Sequence, residues 1–246
     1  MKKTVLCLCL SLFFFSCRKT NTDPAYLPDS YSDQALGASA HDLLSAAKYT
    51  TLNIQVQYMP GYQLDPAVIA NVTDYLNTLC NKPGGINITQ TQIAANGDTL
   101  TPEKAGILEK QNRTAYTGGS TISLYVLVTD GYDTALTILG FAYRNTSICI
   151  FGKNIAAHSG GLFEPTLVSL ESSVLEHELG HILGLVNTGT PMVADHQDNA
   201  HGNHCNNSQC LMYYSIDTHS SSILHPGIIP VLDSNCRNDL HANGGK

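Results

Sequence analysis

Short segments of alternating or continuous apolar residues predict β-strands along the N-terminal part of the chain. Residues 51–58 alternate, with Leu52, Ile54 and Val56 on one side, as expected for a strand with one buried face. Residues 121–129 are rich in β-branched residues and almost continuously apolar, which is typical of a central strand covered on both faces. Further strands are expected near residues 86–93, 138–143 and 147–151.

Segments with helical signals lie between and after these strands. Pro66 follows Asp65, a pair that is common where a helix begins, and apolar residues then recur on one face. Thr101 predicts the cap of another helix, which runs to about residue 111. A short helix is expected at residues 39–48 and a long one from about Pro165. Strands interleaved with helices predict an α/β (α+β) fold in which helices pack on a mixed, twisted sheet.

The composition is that of a globular protein with a net negative charge. Of the 246 residues, 43% are hydrophobic and 13% are charged, and the formal net charge is -7. A negative surface repels phosphate groups, so nucleic acid and anionic lipid headgroups are not expected as partners. A monomer with a single folded domain is expected.

The beginning of the chain has the features of a targeting segment. Lys2 and Lys3 precede an apolar run over residues 5–15, which is too short to span a bilayer and is typical of a secretory signal. The Ser16-Cys17 pair that follows resembles a bacterial lipoprotein cleavage site, which implies a lipid on Cys17 as the membrane anchor. Secretion without lipid is the alternative. We therefore expect an extracytoplasmic lipoprotein attached to the cell envelope.

These features divide the chain into three parts. Residues 1–16 form the signal peptide, residues 17–38 a lipidated tether rich in polar residues and proline, and residues 39–246 the folded domain. Within the domain, an N-terminal subdomain runs to about residue 187, and a loop-rich C-terminal subdomain covers residues 188–246.

Five cysteines remain in the expected mature chain apart from Cys17. An exported protein meets an oxidising compartment, so disulfides are the default for these cysteines, and an odd number leaves at least one free thiol. Sequence does not fix the pairing, and a bond between Cys205 and Cys210 is our first expectation. The five are Cys80, Cys149, Cys205, Cys210 and Cys236.

The candidate chemistry lies in a helical segment at residues 174–186. It contains His177 and His181, two imidazoles four residues apart and therefore on one helix face, where both can bind one Zn²⁺. Glu178 between them can act as general base on a water molecule at the metal. Gly184 then predicts the end of the helix and a sharp reversal. An ordinary amphipathic helix without metal is the alternative.

This segment resembles the signature of the metzincin clan of zinc peptidases, HExxHxxGxxH followed by a tight turn built on a methionine beneath the metal. His177, Glu178, His181, Gly184 and Met212 match that pattern. The resemblance implies a metzincin-like zincin fold and the hydrolysis of peptide bonds through one catalytic Zn²⁺.

The position of the third zinc ligand departs from the signature, because Asn187 stands where the third histidine is expected. Residues 204–212 are similar to the HCx4CxM segment of the archaemetzincins, in which the histidine is the third ligand. The resemblance thus implies His204 as third ligand and residues 187–203 as an insertion. His196 is the main alternative, with His201 or Asn187 after it.

Archaemetzincins also have a second zinc site with four cysteines, completed by a CxxC sequence. No CxxC follows Met212 in this chain. We therefore expect that Cys205 and Cys210 are oxidised or idle and that no second, structural zinc is bound.

Two finer expectations come from the same resemblance. Tyr214 stands where astacin-like metzincins have a tyrosine that helps to stabilise the oxyanion; a tyrosine packed under the site is the alternative. Residues 138–144 would be the edge strand that pairs with an extended peptide. A buried strand is the alternative for this segment.

The function expected from these features is that of a lipid-anchored zinc endopeptidase acting on a peptide or protein. The departure at Asn187 suggests a second hypothesis, a non-catalytic binding lipoprotein on a metalloprotease scaffold. A third is a zinc-dependent amide hydrolase acting on a small or cell-wall substrate.

Overall fold

The computed structural model of the chain describes residues 31–133, 137–216 and 225–246. The predicted signal peptide, Cys17 and the first part of the predicted tether lie outside these residues. Among the described residues, no helix is both long enough and apolar enough to cross a bilayer.

Five strands form one mixed sheet, which confirms the predicted α/β class. They are β1 (Thr51–Tyr58), β2 (Ile86–Gln92), β3 (Thr121–Thr129), β4 (Gly140–Arg144) and β5 (Ser147–Phe151). Their order in the sheet is β2-β1-β3-β5-β4, and β4 alone runs antiparallel to its neighbour. The edge position of β4 agrees with the first of the two interpretations of residues 138–144.

Six helices accompany the described part of the sheet. They are α1 (Ala40–Leu44), α2 (Pro66–Leu79), α3 (Pro102–Asn112), α4 (Gly152–Ala157), α5 (Leu167–Ile182) and α6 (Ser234–Ala242). The predictions for α2, α3 and α5 are confirmed to within a few residues, and α1 is shorter than predicted. Neither α4 nor α6 was predicted.

The central strand β3 is covered on both faces, as its continuous apolar character predicts. Ile122, Leu124 and Val126 pack in the larger core, which includes buried residues of α2 and α5. Tyr125 and Leu127 point the other way, into a smaller core that includes Ala105 from α3. This alternation follows from the two-residue period of a strand. Helix α5 packs on the face of β3 that carries Ile122, Leu124 and Val126.

The predicted boundary of the tether at residue 38 is wrong, because residues 31–38 pack on the domain. Asn145, in the turn between β4 and β5, is fully buried and donates through Nδ2 to Tyr31 O and to Ser39 Oγ, both at 2.7 Å. The backbones of Gln34 and Asn145 are also joined, since Asn145 N donates to Gln34 O at 3.2 Å. The folded part of the chain therefore includes at least residues 31–38.

Candidate metal centre

Helix α5 carries the histidine pair and the glutamate into the interior of the molecule. Thr166 caps the helix by accepting a hydrogen bond from Ser169 N at 3.1 Å. Every residue from Ser169 to Ile182 is buried. A helix that is buried all round places polar side chains in the interior, where they need specific partners.

The chain reverses directly after α5, as Gly184 predicts. Gly184 has φ +77°, in the left-handed region that favours glycine. A Cβ atom there would also lie 2.6 Å from Thr190 N. Thr190 closes the reversal, because its N donates to Gly184 O at 2.9 Å and its Oγ1 donates to Leu183 O at 2.7 Å.

The structure brings His204 to the two histidines of α5. The ring centroid of His204 lies 5.3 Å from that of His177 and 5.1 Å from that of His181. The centroids of the two α5 rings are 4.8 Å apart. One ring nitrogen from each of the three histidines lies within 4.8 Å of the corresponding nitrogens of the other two. The three rings therefore surround one point.

The other residues considered as third ligand lie elsewhere. His201 is exposed and pairs with Asp198 at 2.6 Å. Asn187 is exposed and adopts φ +65° in the turn after α5. His196 is buried, but its ring contacts Asp239 and Cys205 rather than the α5 histidines.

Hydrogen bonds set the ring orientation of two of the three histidines. His177 Nδ1 donates to Leu211 O at 2.7 Å, and His204 Nδ1 donates to His201 O at 2.7 Å. In each neutral ring this leaves a lone pair on Nε2, the atom that can bind a metal. Burial, followed by the neighbouring rings of His177 and His204, lowers the pKa of His181 well below its usual range. All three rings thus fit a zinc ion, which prefers neutral imidazole.

Glu178 faces a cavity beside these rings. The carboxylate is 2% exposed and lines a cavity of about 220 Å³ together with His181 and His204. Leu36, Gly140, Phe141, Ala142 and Asn203 form the rest of the lining. The edge strand β4 and the N-terminal segment therefore border the same cavity as Glu178.

The predicted turn at Met212 lies directly under α5. Met212 is fully buried, and a Cβ atom at Gly180 would clash with its sulfur. Met212 O accepts a hydrogen bond from Cys205 N at 2.7 Å. Tyr214 stacks on the ring of His201, with centroids 3.5 Å apart, so its ring is held by the insertion.

A second group of possible metal ligands includes Cys205, the residue that follows His204. One donor atom each from Cys205, Cys210, Cys236 and Asp233 lie within 4.8 Å of one another. The three cysteines are free and fully buried, so the predicted disulfide between Cys205 and Cys210 is wrong. Hydrogen bonds from the thiols of Cys205 and Cys236 lower the pKa of Cys210.

Several residues at these two groups were not found from the sequence. Leu36 lines the cavity although it was assigned to the tether, and Asp239 holds His196 although it lies 43 residues away. For Cys236 the sequence did contain a signal, because cysteines and histidines, the usual zinc ligands, cluster after residue 196. Leu36 and Asp239 had no such signal, because only the fold brings them close.

Comparison with known proteins gives distant structural likenesses. No protein-family model and no curated protein matches the sequence. Among solved structures, the chain is similar to an archaemetzincin from Methanopyrus kandleri, with a TM-score of 0.46 and 16% identity, covering 80% of this chain and 96% of that one.

A second likeness is to metalloproteinase-II from Bacteroides fragilis, with a TM-score of 0.44 and 14% identity. The match covers 81% of this chain and 54% of that one, so this chain spans about half its length. At such low TM-scores, the geometry of the histidines and not the likeness is the basis for assigning a function.

Proposed function

We propose that the protein is a zinc-dependent endopeptidase in which His177, His181 and His204 bind the metal and Glu178 is the general base. The observation that supports this is the convergence of three imidazole nitrogens beside a buried carboxylate. Three protein ligands leave the fourth position of a tetrahedral zinc for water or substrate, as in catalytic zinc sites. Copper or nickel would also bind imidazole, but zinc is the common hydrolytic metal for this ligand set.

The chemistry follows from the position of Glu178. A bound zinc ion supplies Lewis acidity to a water molecule and to the substrate carbonyl. Glu178 takes a proton from the water, whose oxygen then bonds to the carbonyl carbon. When the C–N bond breaks, Glu178 returns the proton to the leaving amine. Tyr214 would donate a hydrogen bond to the carbonyl oxygen once its ring leaves the stacked position on His201.

The substrate class follows from the edge strand. Strand β4 is hydrogen-bonded to β5 on one side only, and its residues Gly140, Phe141 and Ala142 line the cavity next to Glu178. An extended peptide could add to such an edge through backbone hydrogen bonds. This geometry favours a peptide or protein over a small amide, although a cell-wall peptide would fit the same edge.

The arrangement of the three histidines removes the reason for the non-catalytic hypothesis. It was suggested by Asn187, which stands where the third histidine of the signature is expected. Since His204 reaches the α5 pair from beyond the insertion, the three-histidine set needs no ligand at Asn187.

The test of the assigned base is the Glu178→Gln variant of the full chain, assayed with a broad peptide library. We expect cleavage to fall by roughly 10²- to 10⁴-fold while the zinc content stays unchanged, because Gln cannot accept the proton. Glu176→Gln is the matched control, since Glu176 lies in the same helix on the opposite face. It should cleave like the wild type.

Two results would contradict the proposal. Full activity in Glu178→Gln would exclude Glu178 as the base. A wild-type chain that binds no metal and cleaves no peptide in the library would support the non-catalytic hypothesis. Cleavage of small amides but not of peptides would favour the third hypothesis.

We further propose that the enzyme is an extracytoplasmic lipoprotein anchored through Cys17. The Ser16-Cys17 sequence after the apolar run supports this. Cells grown with a labelled fatty acid should incorporate the label into the wild type and not into Cys17→Ala. Equal labelling of both, or of neither, would refute the anchor.

A further inference from the structure

The group of thiols beside the candidate catalytic centre has the spacing of a metal site and not of a disulfide. Cys210 Sγ and Cys236 Sγ lie 3.6 Å apart. A disulfide requires about 2.05 Å. Two sulfurs on one tetrahedral zinc, each about 2.3 Å from it, are about 3.8 Å apart. The observed separation therefore matches an edge of a zinc tetrahedron.

A buried histidine from the insertion completes this group. His196 is 1% exposed, and its Nδ1 lies 3.4 Å from Cys205 Sγ and 3.9 Å from Cys236 Sγ. A nitrogen and a sulfur bound to the same tetrahedral zinc would be about 3.5 Å apart. The two observed distances bracket this value.

Asp239 prepares the His196 ring for binding a metal. Its Oδ2 accepts a hydrogen bond from His196 Nε2 at 2.7 Å, while its Oδ1 accepts one from Val193 N at 2.7 Å. Asp239 is fully buried, so these two contacts fix it. With the proton on Nε2, the lone pair of Nδ1 faces the sulfurs, an arrangement common to histidines that bind metals.

We propose that Cys205, Cys210, Cys236 and His196 bind a second, structural zinc ion as a Cys₃His set, with Asp239 as the positioning residue for His196. This contradicts our expectation from the sequence that these cysteines are oxidised or idle. In place of the missing CxxC, the fourth ligand comes from the 187–203 insertion. The site does not depend on the proposed peptidase activity.

Asp233 is close to the sulfurs but is better explained as a structural residue. Its Oδ1 accepts from Cys236 N at 3.0 Å and so caps α6, and its Oδ2 accepts from Asn207 Nδ2 at 3.0 Å. Zinc among thiolates prefers imidazole to a carboxylate already engaged in this way. His196 is therefore the ligand, and Asp233 orients the helix that carries Cys236.

The second metal would hold together the segments that position His204. Cys205 is the next residue in the chain, and its N donates to Met212 O at 2.7 Å. Asp198 N donates to His204 O at 2.7 Å, and Asn206 N donates to His196 O at 2.8 Å. A zinc ion at the cysteines thus ties the insertion, the methionine turn and α6 to one another.

The test is metal analysis of the full chain, purified with a thiol reductant, followed by replacement of zinc with Co²⁺. We expect two metal ions per chain and the intense sulfur-to-metal charge-transfer absorption of tetrahedral cobalt bound to thiolates. His196→Ala should lose about one equivalent and most of that absorption. His177→Ala should lose the other equivalent and keep the absorption.

Asp233→Asn is the matched control and should keep both equivalents and the absorption. If Asp233→Asn loses the thiolate absorption while His196→Ala keeps it, His196 is not the ligand and the proposal fails. A wild type with one metal and no thiolate absorption would also overturn it, as would a Cys210–Cys236 disulfide that persists in the reductant.

The wild type alone provides a further measurement should the His196 variant not fold. Zinc should protect three thiols from alkylation, and a chelator should expose those three, identified by peptide mapping as Cys205, Cys210 and Cys236. Equal alkylation with and without zinc would overturn the proposal.

Discussion

At the scale of single residues, two carboxyl groups of α5 lie in different surroundings. Glu178 faces the cavity beside the histidines, whereas Glu176 is 4% exposed and points away from them. Burial raises the pKa of Glu176 to about 8, and burial also raises that of Glu171 to about 7. Both carboxyls are therefore largely protonated when the folded protein is slightly acidic.

The raised pKa of Glu176 makes the protein less stable as the pH rises. In the unfolded chain this carboxyl has a pKa of 4.5. Between this value and about 8 the folded state holds a proton that the unfolded state has lost, so the free energy of unfolding falls with pH. From pH 5 to pH 8 we expect a loss of about 3 to 4 kcal/mol from Glu176, measured by urea unfolding.

Glu176→Gln should remove this contribution and flatten the pH profile. Glu103→Gln serves as control, because Glu103 is exposed and its pKa is lowered. An unchanged slope in Glu176→Gln would mean that Glu176 does not hold the proton.

Gly180 shows how closely the methionine turn approaches α5. An alanine normally stabilises a helix relative to glycine by about 1 kcal/mol. At Gly180 the added Cβ would clash with the Met212 sulfur. We expect Gly180→Ala to lower the free energy of unfolding by about 1 to 3 kcal/mol, measured by chemical denaturation. Gly118→Ala, with open space around the new Cβ, should change it little. A stabilised Gly180→Ala would contradict the close contact of Gly180 with Met212.

At the scale of elements, the segment at residues 31–39 packs on the domain and borders the cavity through Leu36. Asn145 makes the polar contacts that join this segment to the turn between β4 and β5. Other contacts also hold the segment: Asp33 Oδ1 pairs with Arg144 Nη1 of β4 at 2.9 Å, and Leu36 packs against the larger core. The N-terminal segment is therefore a wall of the cavity, and Asn145 makes several of the polar contacts that attach it.

Asn145→Ala should loosen this wall while leaving the sheet intact. We expect faster amide hydrogen exchange at residues 32–40 and a loss of about 1 to 3 kcal/mol in the free energy of unfolding, because buried hydrogen bonds are removed. Asn87→Ala, on the exposed side of β2, is the control. Unchanged exchange at residues 32–40 would show that other contacts hold the segment.

At the scale of the whole molecule, both proposed metal ions would join segments that are far apart in sequence. The first links α5 to the end of the insertion, and the second links the insertion to the methionine turn and α6. Among the described residues after 187, α6 is the only helix, and none belongs to a strand of the sheet. Its stability should therefore depend on the metals.

Removal of metal by a chelator should lower the melting temperature by roughly 5 to 10 °C, the shift expected from losing a few kcal/mol of binding free energy. Zinc should restore it, and magnesium should not, because magnesium prefers oxygen ligands. His177→Ala should keep part of the shift through the second site. Identical melting curves with and without chelator would refute both metal sites.

The sequence by itself determined the helix of the histidine pair, the reversal at Gly184 and the strands of the sheet. These features follow from local periodicity, capping and the backbone freedom of glycine, all of which act within a few residues. It also supplied His204, through its resemblance to archaemetzincins, but left His196, His201 and Asn187 open.

Only the tertiary structure decided which of these histidines meets the α5 pair, because residues 187–203 have no periodicity that fixes their course. It also placed His196 among the cysteines and the tether residues against the cavity. Helix α6 was missed for a related reason: its sequence is polar, and it is stabilised by the Asp233 cap and by the burial of Cys236 and Leu240. Contacts between residues distant in sequence depend on the whole fold, and no local pattern encodes them.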